Sequence, residues 1–310
     1  MQLFLSNSLL ALRQVAMLYV IVGMGFAAER LRWFPEATAR LCTKLLLYLI
    51  TPCMVISSFL AMEYSKEAVR GLGITFACGV LLHVTGMLLS YPVYRGYKKP
   101  ETDHILHYAS VYGNCGYMGL PLAQAMGGSA GVFYCSVIIL TFQLFSFTHG
   151  QYAMGGTKFA WRSLLLNAGV LSVVIGLPLF LFQIPVPELV AKPVASVASM
   201  NSPLAMLMFG AYLSRTRFGG ILRNKKIFAA AAIKLFALPA VMLTVLALIG
   251  AEIPLRHAVL ITSAAPPANN TVVFAAKHER DTGYAAQVTG LFSMISILTM
   301  PLMIALGLSV

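Results

Sequence analysis

Ten apolar runs, each about 20 residues long and nearly free of charge, dominate this chain. Their approximate limits are 9–28, 41–62, 71–93, 104–126, 129–150, 163–184, 192–213, 227–250, 256–276 and 284–308. A run of that length crosses the roughly 30 Å hydrocarbon core as a helix, because only helices and closed barrels satisfy their own backbone polar groups in lipid. The expectation is an all-α polytopic membrane protein with ten transmembrane helices. The first run could pass for a signal peptide. It follows no basic segment and is long enough to span, so it is read as a helix.

Composition excludes several other classes. Hydrophobic residues make up 59% of the chain and charged ones 10%, where a soluble domain carries about 25% charged residues. No polar stretch between the runs is long enough for a soluble domain. The net charge of +12 has a topological explanation, since 16 of the 22 Lys and Arg lie in or beside the loops after runs one, three, five, seven and nine. Cytoplasmic loops collect these residues, so both termini are expected on the periplasmic or extracellular side. No basic segment is interleaved with aromatics, which argues against nucleic acid. The five cysteines lie within or at the ends of apolar runs without metal spacing. No metal or cofactor motif is present.

Prolines inside the runs recur in matched places. Thr51-Pro52 pairs with Ser202-Pro203, Pro92 with Pro239, and Pro121 with Pro266-Pro267. The expectation is two five-helix repeats, 1–150 and 163–310, joined by a cytoplasmic linker at 151–162. Five is odd, so the second repeat enters the membrane from the opposite side. Inverted repeats with interrupted helices in corresponding positions are a mark of secondary transporters.

Two interruptions stand out, YGNCGYMGLPLAQAMGG at 112–128 and ITSAAPPANNTVVFAAKHERD at 261–281. Irregular backbone at membrane depth survives only when buried in protein or lining a cavity. Spans four and nine should therefore be broken helices that cross. The freed amides and dipole of each new helix N-terminus favour a small anion. Asn114, Asn269, Asn270 and Thr271 add neutral donors and acceptors, and Cys115, Gly116 and Gly119 share the first break. Pro121 suits a first helical position. These asparagines could instead serve only to satisfy broken backbone.

None of the ten Asp and Glu falls at the centre of a run, which removes the usual carboxylate proton relay and acidic cation ligand. Lys234 is the fixed charge at depth. It could draw an anion along its path, or its stem could carry the ammonium to the interface, the reading favoured here. His83 could couple a proton, but a lone histidine in an apolar segment is more often a packing residue.

The sequence resembles the auxin efflux carrier family, which includes plant auxin exporters and bacterial malonate or malate carriers. The resemblance rests on Asn114-Cys115-Gly116-Tyr117-Met118-Gly119-Leu120-Pro121-Leu122 and on Ala265 to Ala275, supported by Thr51-Pro52, Lys234 to Pro239 and the ten-run layout. It implies a scaffold of spans 1, 2, 6 and 7 that forms a homodimer, and a mobile transport domain of spans 3–5 and 8–10. It also implies an elevator motion, broken helices crossing at Pro121 and Pro266 or Pro267, and Asn114 touching the substrate. The short linker and the polar Asn269-Asn270 pair differ from the plant exporters and favour a bacterial inner-membrane carrier of a smaller carboxylate.

The function expected is secondary transport of small organic anions, by potential-driven export or uniport. The alternative is a sodium-coupled anion symporter of the bile-acid type. A membrane enzyme would need an acidic, Ser–Lys or metal constellation, and none is visible.

Overall fold

The computed structural model describes residues 2–33, 35–156, 161–216 and 221–307. Residues 157–160 of the expected linker and the last position of run ten lie outside the described residues.

The described chain is helical from end to end. Helix α1 (Gln2–Arg30) is followed by α2 (Glu36–Leu45) and α3 (Thr51–Leu60), which a π turn at Leu46–Ile50 joins into one span. Next come α4 (Lys66–Tyr94), α5 (Pro100–Val111), α6 (Leu120–Phe147) and the short α7 (His149–Ala153). The second half runs through α8 (Trp161–Leu165), α9 (Ala168–Leu181), α10 (Glu188–Ser199) and α11 (Asn201–Arg215). It continues with α12 (Lys226–Ala232), α13 (Leu238–Leu248), α14 (Ile253–Ala264), α15 (Asn270–Lys277) and α16 (Thr282–Gly307).

Local chemistry sets several of these boundaries. Ser65 Oγ accepts from the Ala68 amide at 3.0 Å and caps α4, while Asn167 Oδ1 accepts from Gly169 at 2.9 Å and caps α9. Inside α6, Gly128 takes φ 55° and ψ −144° and splits the stretch into two helices, at the boundary expected between runs four and five. A residue with a Cβ is strained in that conformation.

Six helical stretches among the described residues have the length and apolarity of a membrane span: Ala37–Leu60, Lys66–Tyr94, Cys115–Phe147, Glu188–Arg215, Lys226–Leu248 and Thr282–Gly307. Of the expected runs outside this set, run one is the single 29-residue helix α1, and the other three are not single long helices. Run four is interrupted and merges into α6, run nine is divided between α14 and α15, and run six is the 14-residue α9.

One of the proline pairings is corrected. Pro92 lies in the last turn of α4, whereas Pro239 opens α13 in mid-span, so the two do not mark equivalent places. A different regularity appears. Pro52, Pro121 and Pro239 each follow a π turn, at Leu46–Ile50, Cys115–Gly119 and Ile233–Ala237. Proline lacks an amide hydrogen and its ring crowds the carbonyl one turn back. A widened turn relieves that clash without ending the helix.

Helix packing relies on small residues, as expected where lipid removes the hydrophobic drive between helices. A Cβ on Gly25 would overlap the Leu207 carbonyl, and one on Gly210 the Val22 carbonyl, so α1 and α11 lie backbone to backbone. Gly176 of α9 admits the Phe59 ring of α3. Phe59 and Phe180 both pack edge-on to Phe133 with centroids 4.9 Å apart, which ties α3 and α9 to α6.

Candidate functional site

The interruptions after α5 and α14 meet each other. Gly113 and Pro267 form an isolated antiparallel bridge. The Asn114 amide donates to the Pro266 carbonyl at 2.7 Å, and the Ala268 amide donates to the Tyr112 carbonyl at 3.0 Å. The reason is backbone accounting. Unpaired amides and carbonyls are costly in an apolar interior, and each broken segment satisfies the other. Pro266 and Pro267 bring no amide hydrogens, so two potential orphans are absent by chemistry.

Because the contact is between Gly113 and Pro267, one sequence expectation is corrected. Pro121 does not stand at the crossing. It lies beyond the π turn, near the start of α6, and lines a separate cavity. Pro266 and Pro267 lie within the crossing.

Lys234 enters this region from the π turn Ile233–Ala237 and is 0% exposed. Its Nζ donates to the Ser263 carbonyl at 3.1 Å, close to the C-terminal end of α14, where the helix dipole favours a cation. The favoured expectation that its ammonium would reach the interface is therefore overturned. A Cβ on Gly113 would sit 2.7 Å from Lys234 Nζ and 3.1 Å from the Thr262 carbonyl. Glycine at this position leaves room for the ammonium beside the bridge.

The asparagines are used differently. Asn114 is 4% exposed and caps the π turn, its Oδ1 accepting from the Tyr117 amide at 3.1 Å. Its backbone carbonyl accepts from Met118 and Gly119. Asn269 and Asn270 begin α15 without any side-chain cap and are half-buried. Among the described residues, their own amides have no backbone acceptor. Thr271 is fully buried, and its Oγ1 has no partner among the described residues.

A cavity of about 60 Å³ lies at the crossing, lined by Asn114, Cys115, Gly116, Asn269 and Asn270 together with Gln143. It shares Leu47, Tyr117, Asn269 and Asn270 with a larger cavity of about 360 Å³ bounded by α11, α15 and α16. On the side of Pro121 and Gln124, a cavity of about 430 Å³ shares no lining residue with either. Gly119 and Thr271 line none of the three. Gly119 packs instead against Thr262.

His83 lies beside the first break rather than in it. Its Nδ1 donates to the Gly79 carbonyl at 2.6 Å, which fixes the tautomer of the neutral ring because a carbonyl only accepts. The ring stacks on Phe145 at 5.3 Å. This is the geometry of a packing histidine. Among the described residues, no group of three His, Cys, Asp or Glu could hold a metal ion.

Two lining residues were missed at the level of sequence. Gln143 is a lone amide in an apolar span, a signal of the kind that marks intramembrane function, and its Oε1 is buried without a partner among the described residues. Arg215 read as an ordinary loop-flanking charge, yet it lines the 360 Å³ cavity.

Known proteins give a consistent picture. The family described as Membrane transport protein matches residues 10–156 and 152–304. An uncharacterized transporter of Methanocaldococcus jannaschii is 24% identical over 308 residues, covering 91% of this chain and 95% of that one. Matched through both halves and across the two broken segments, the chain belongs to the auxin efflux carrier family of membrane transport proteins.

Proposed function

We propose that this chain is a secondary carrier of small organic anions, with carboxylates such as malonate, malate or auxin-like acids as its substrates. The observation that carries the reading is the paired break at Gly113 and Pro267 with the Lys234 ammonium buried beside it. Neutral amides from Asn114, Asn269 and Asn270 and a fixed positive charge suit an anion that sheds its water. Cys115 and Gly116 complete the wall of the small cavity. Thr271 follows Asn270 in α15, buried and with its hydroxyl unpartnered among the described residues.

In this reading the chain crosses the membrane ten times as two inverted repeats, 1–150 and 163–310, with 151–162 as the cytoplasmic linker. Both termini are on the outer face of a bacterial inner membrane. Spans 1, 2, 6 and 7 form the scaffold and dimer contact, and spans 3–5 with 8–10 carry the crossing through an elevator-type motion. The 360 Å³ cavity, lined by Arg215 and Thr216 at the C-terminal end of α11 where Lys and Arg gather, opens to the cytoplasm. An inside-negative potential expels an anion at about 2.3 kcal/mol per charge per 100 mV, so export needs no coupling ion. Lys234 supplies a resident cation where a symporter would recruit one.

The test is uptake of labelled malonate, malate and indole-3-acetate into liposomes carrying the purified chain, under sodium, proton or voltage gradients. Voltage-dependent transport of at least one acid without sodium is expected. Strict sodium dependence would replace uniport with symport. Asn114→Ala and Asn269→Ala should each abolish transport with expression intact, and full activity in both would reduce the breaks to structural features. Accessibility labelling that finds a cytoplasmic N-terminus would overturn the topology.

A further inference from the structure

The two large cavities differ in charge. Among the described residues, Arg215 is the one charged residue lining the 360 Å³ cavity, and none lines the 430 Å³ cavity. The wall around Arg215 offers hydroxyls, including Thr43 and Tyr212, whose oxygens are 2.8 Å apart. Farther in, the same cavity reaches Asn269 and Asn270 at the crossing.

Arg215 holds a carboxylate in this structure. Its Nε donates to Glu29 Oε1 and its Nη2 to Glu29 Oε2, both at 2.7 Å. This two-pronged geometry is how a guanidinium binds any carboxylate. The pair is not sealed, since its side chains are 25% and 18% exposed. Both residues sit at the ends of α1 and α11, whose glycine-mediated contact keeps the fork in place.

We propose that Arg215 is the docking residue for the substrate carboxylate on the cavity side it faces, with Glu29 as a built-in competitor that the substrate displaces. The inference rests on the organic-anion reading above and deepens it. A carboxylate reaching the cavity exchanges with Glu29 on the guanidinium and then passes along the shared wall to the asparagines. Glu29 keeps the site neutral when empty and prevents the anion from being held too tightly to move on. Among the described residues, the other large cavity offers only hydroxyls and the Gln124 amide as polar side chains, so the carrier loads more readily from the Arg215 side.

The test uses the full chain in liposomes of defined orientation, with whichever labelled acid of malonate, malate and indole-3-acetate the wild type carries. Arg215→Gln should raise KM about two- to fivefold from the Arg215 face and leave KM from the other face unchanged. Glu29→Gln should lower it from the same face by a similar factor, the range expected for a partly exposed charge pair. Arg215→Lys should recover part of the loss, since charge returns without the fork. Equal changes from both faces, or a change in kcat alone, would overturn the proposal and leave the pair as a clasp between α1 and α11. If Arg215→Gln fails to fold, the double variant Arg215→Gln/Glu29→Gln removes both charges of the pair and must show the one-sided rise in KM. Transport of none of the three acids by the wild type would sink the carrier reading itself, before any variant is made, and this inference with it.

Discussion

The break after α5 and the break after α14 look like counterparts in sequence, but they are built differently. At the first, the side chain of Asn114 closes a π turn and every residue from Val111 to Cys115 is buried. At the second, two prolines dispense with amide hydrogens, and Asn269 and Asn270 start α15 uncapped and half-buried against the cavities. The second break also receives the Lys234 ammonium through Ser263. The lesson is a division of labour. One segment uses its polar side chain to cap its own π turn, and the other leaves Asn269 and Asn270 uncapped at the cavities.

The strongest challenge to that contrast is Lys234→Met, which removes the buried ammonium at similar side-chain length. Transport should fall to background in the liposome assay, while the protein still inserts and purifies. Retained activity would mean that the second break needs no cation. Gly113→Ala comes next, because its Cβ would press on Lys234 Nζ and the Thr262 carbonyl, the latter being backbone that cannot yield easily. Overpacking of this kind costs about 1–3 kcal/mol, visible as a lowered melting midpoint in detergent together with lost transport.

The two asparagines then separate capping from binding. Loss of a helix cap costs about 1 kcal/mol, so Asn114→Ala should lower the melting midpoint by about 2 °C as well as abolishing transport. Asn269→Ala should abolish transport with the midpoint unchanged. Equal midpoints for the two variants would erase the proposed distinction. The smallest effect is expected at Gly116, where an added Cβ meets nothing within 4 Å. Gly116→Ala should express and melt as the wild type, with at most a modest rise in KM from the narrowed cavity.

Much of this was legible in advance because lipid leaves a chain few choices. Apolar run length announced helices, and Gly, Pro and Asn in the middle of two runs announced breaks that needed partners. Other features were hidden for physical reasons. Pro121 seemed the natural break point because proline disfavours helix interiors, yet the adjacent π turn absorbs it and the helix continues. Lys234 was assigned to the interface because a lone ammonium in lipid is costly. A carbonyl near a helix C-terminus and the space left by Gly113 in the first break changed that balance. Arg215 looked topological because nothing nearby in sequence reveals Glu29, which lies on α1.

By itself, then, the sequence determined that this protein is a helical membrane protein with two damaged spans, since hydropathy and backbone breakers act locally. The tertiary structure decided which backbone groups repair those breaks, where the buried cation rests, and which amides remain uncommitted at the cavities. Those outcomes depend on contacts between separate segments, from Lys234 with Ser263 to Gly113 with Pro267, and no local pattern encodes them.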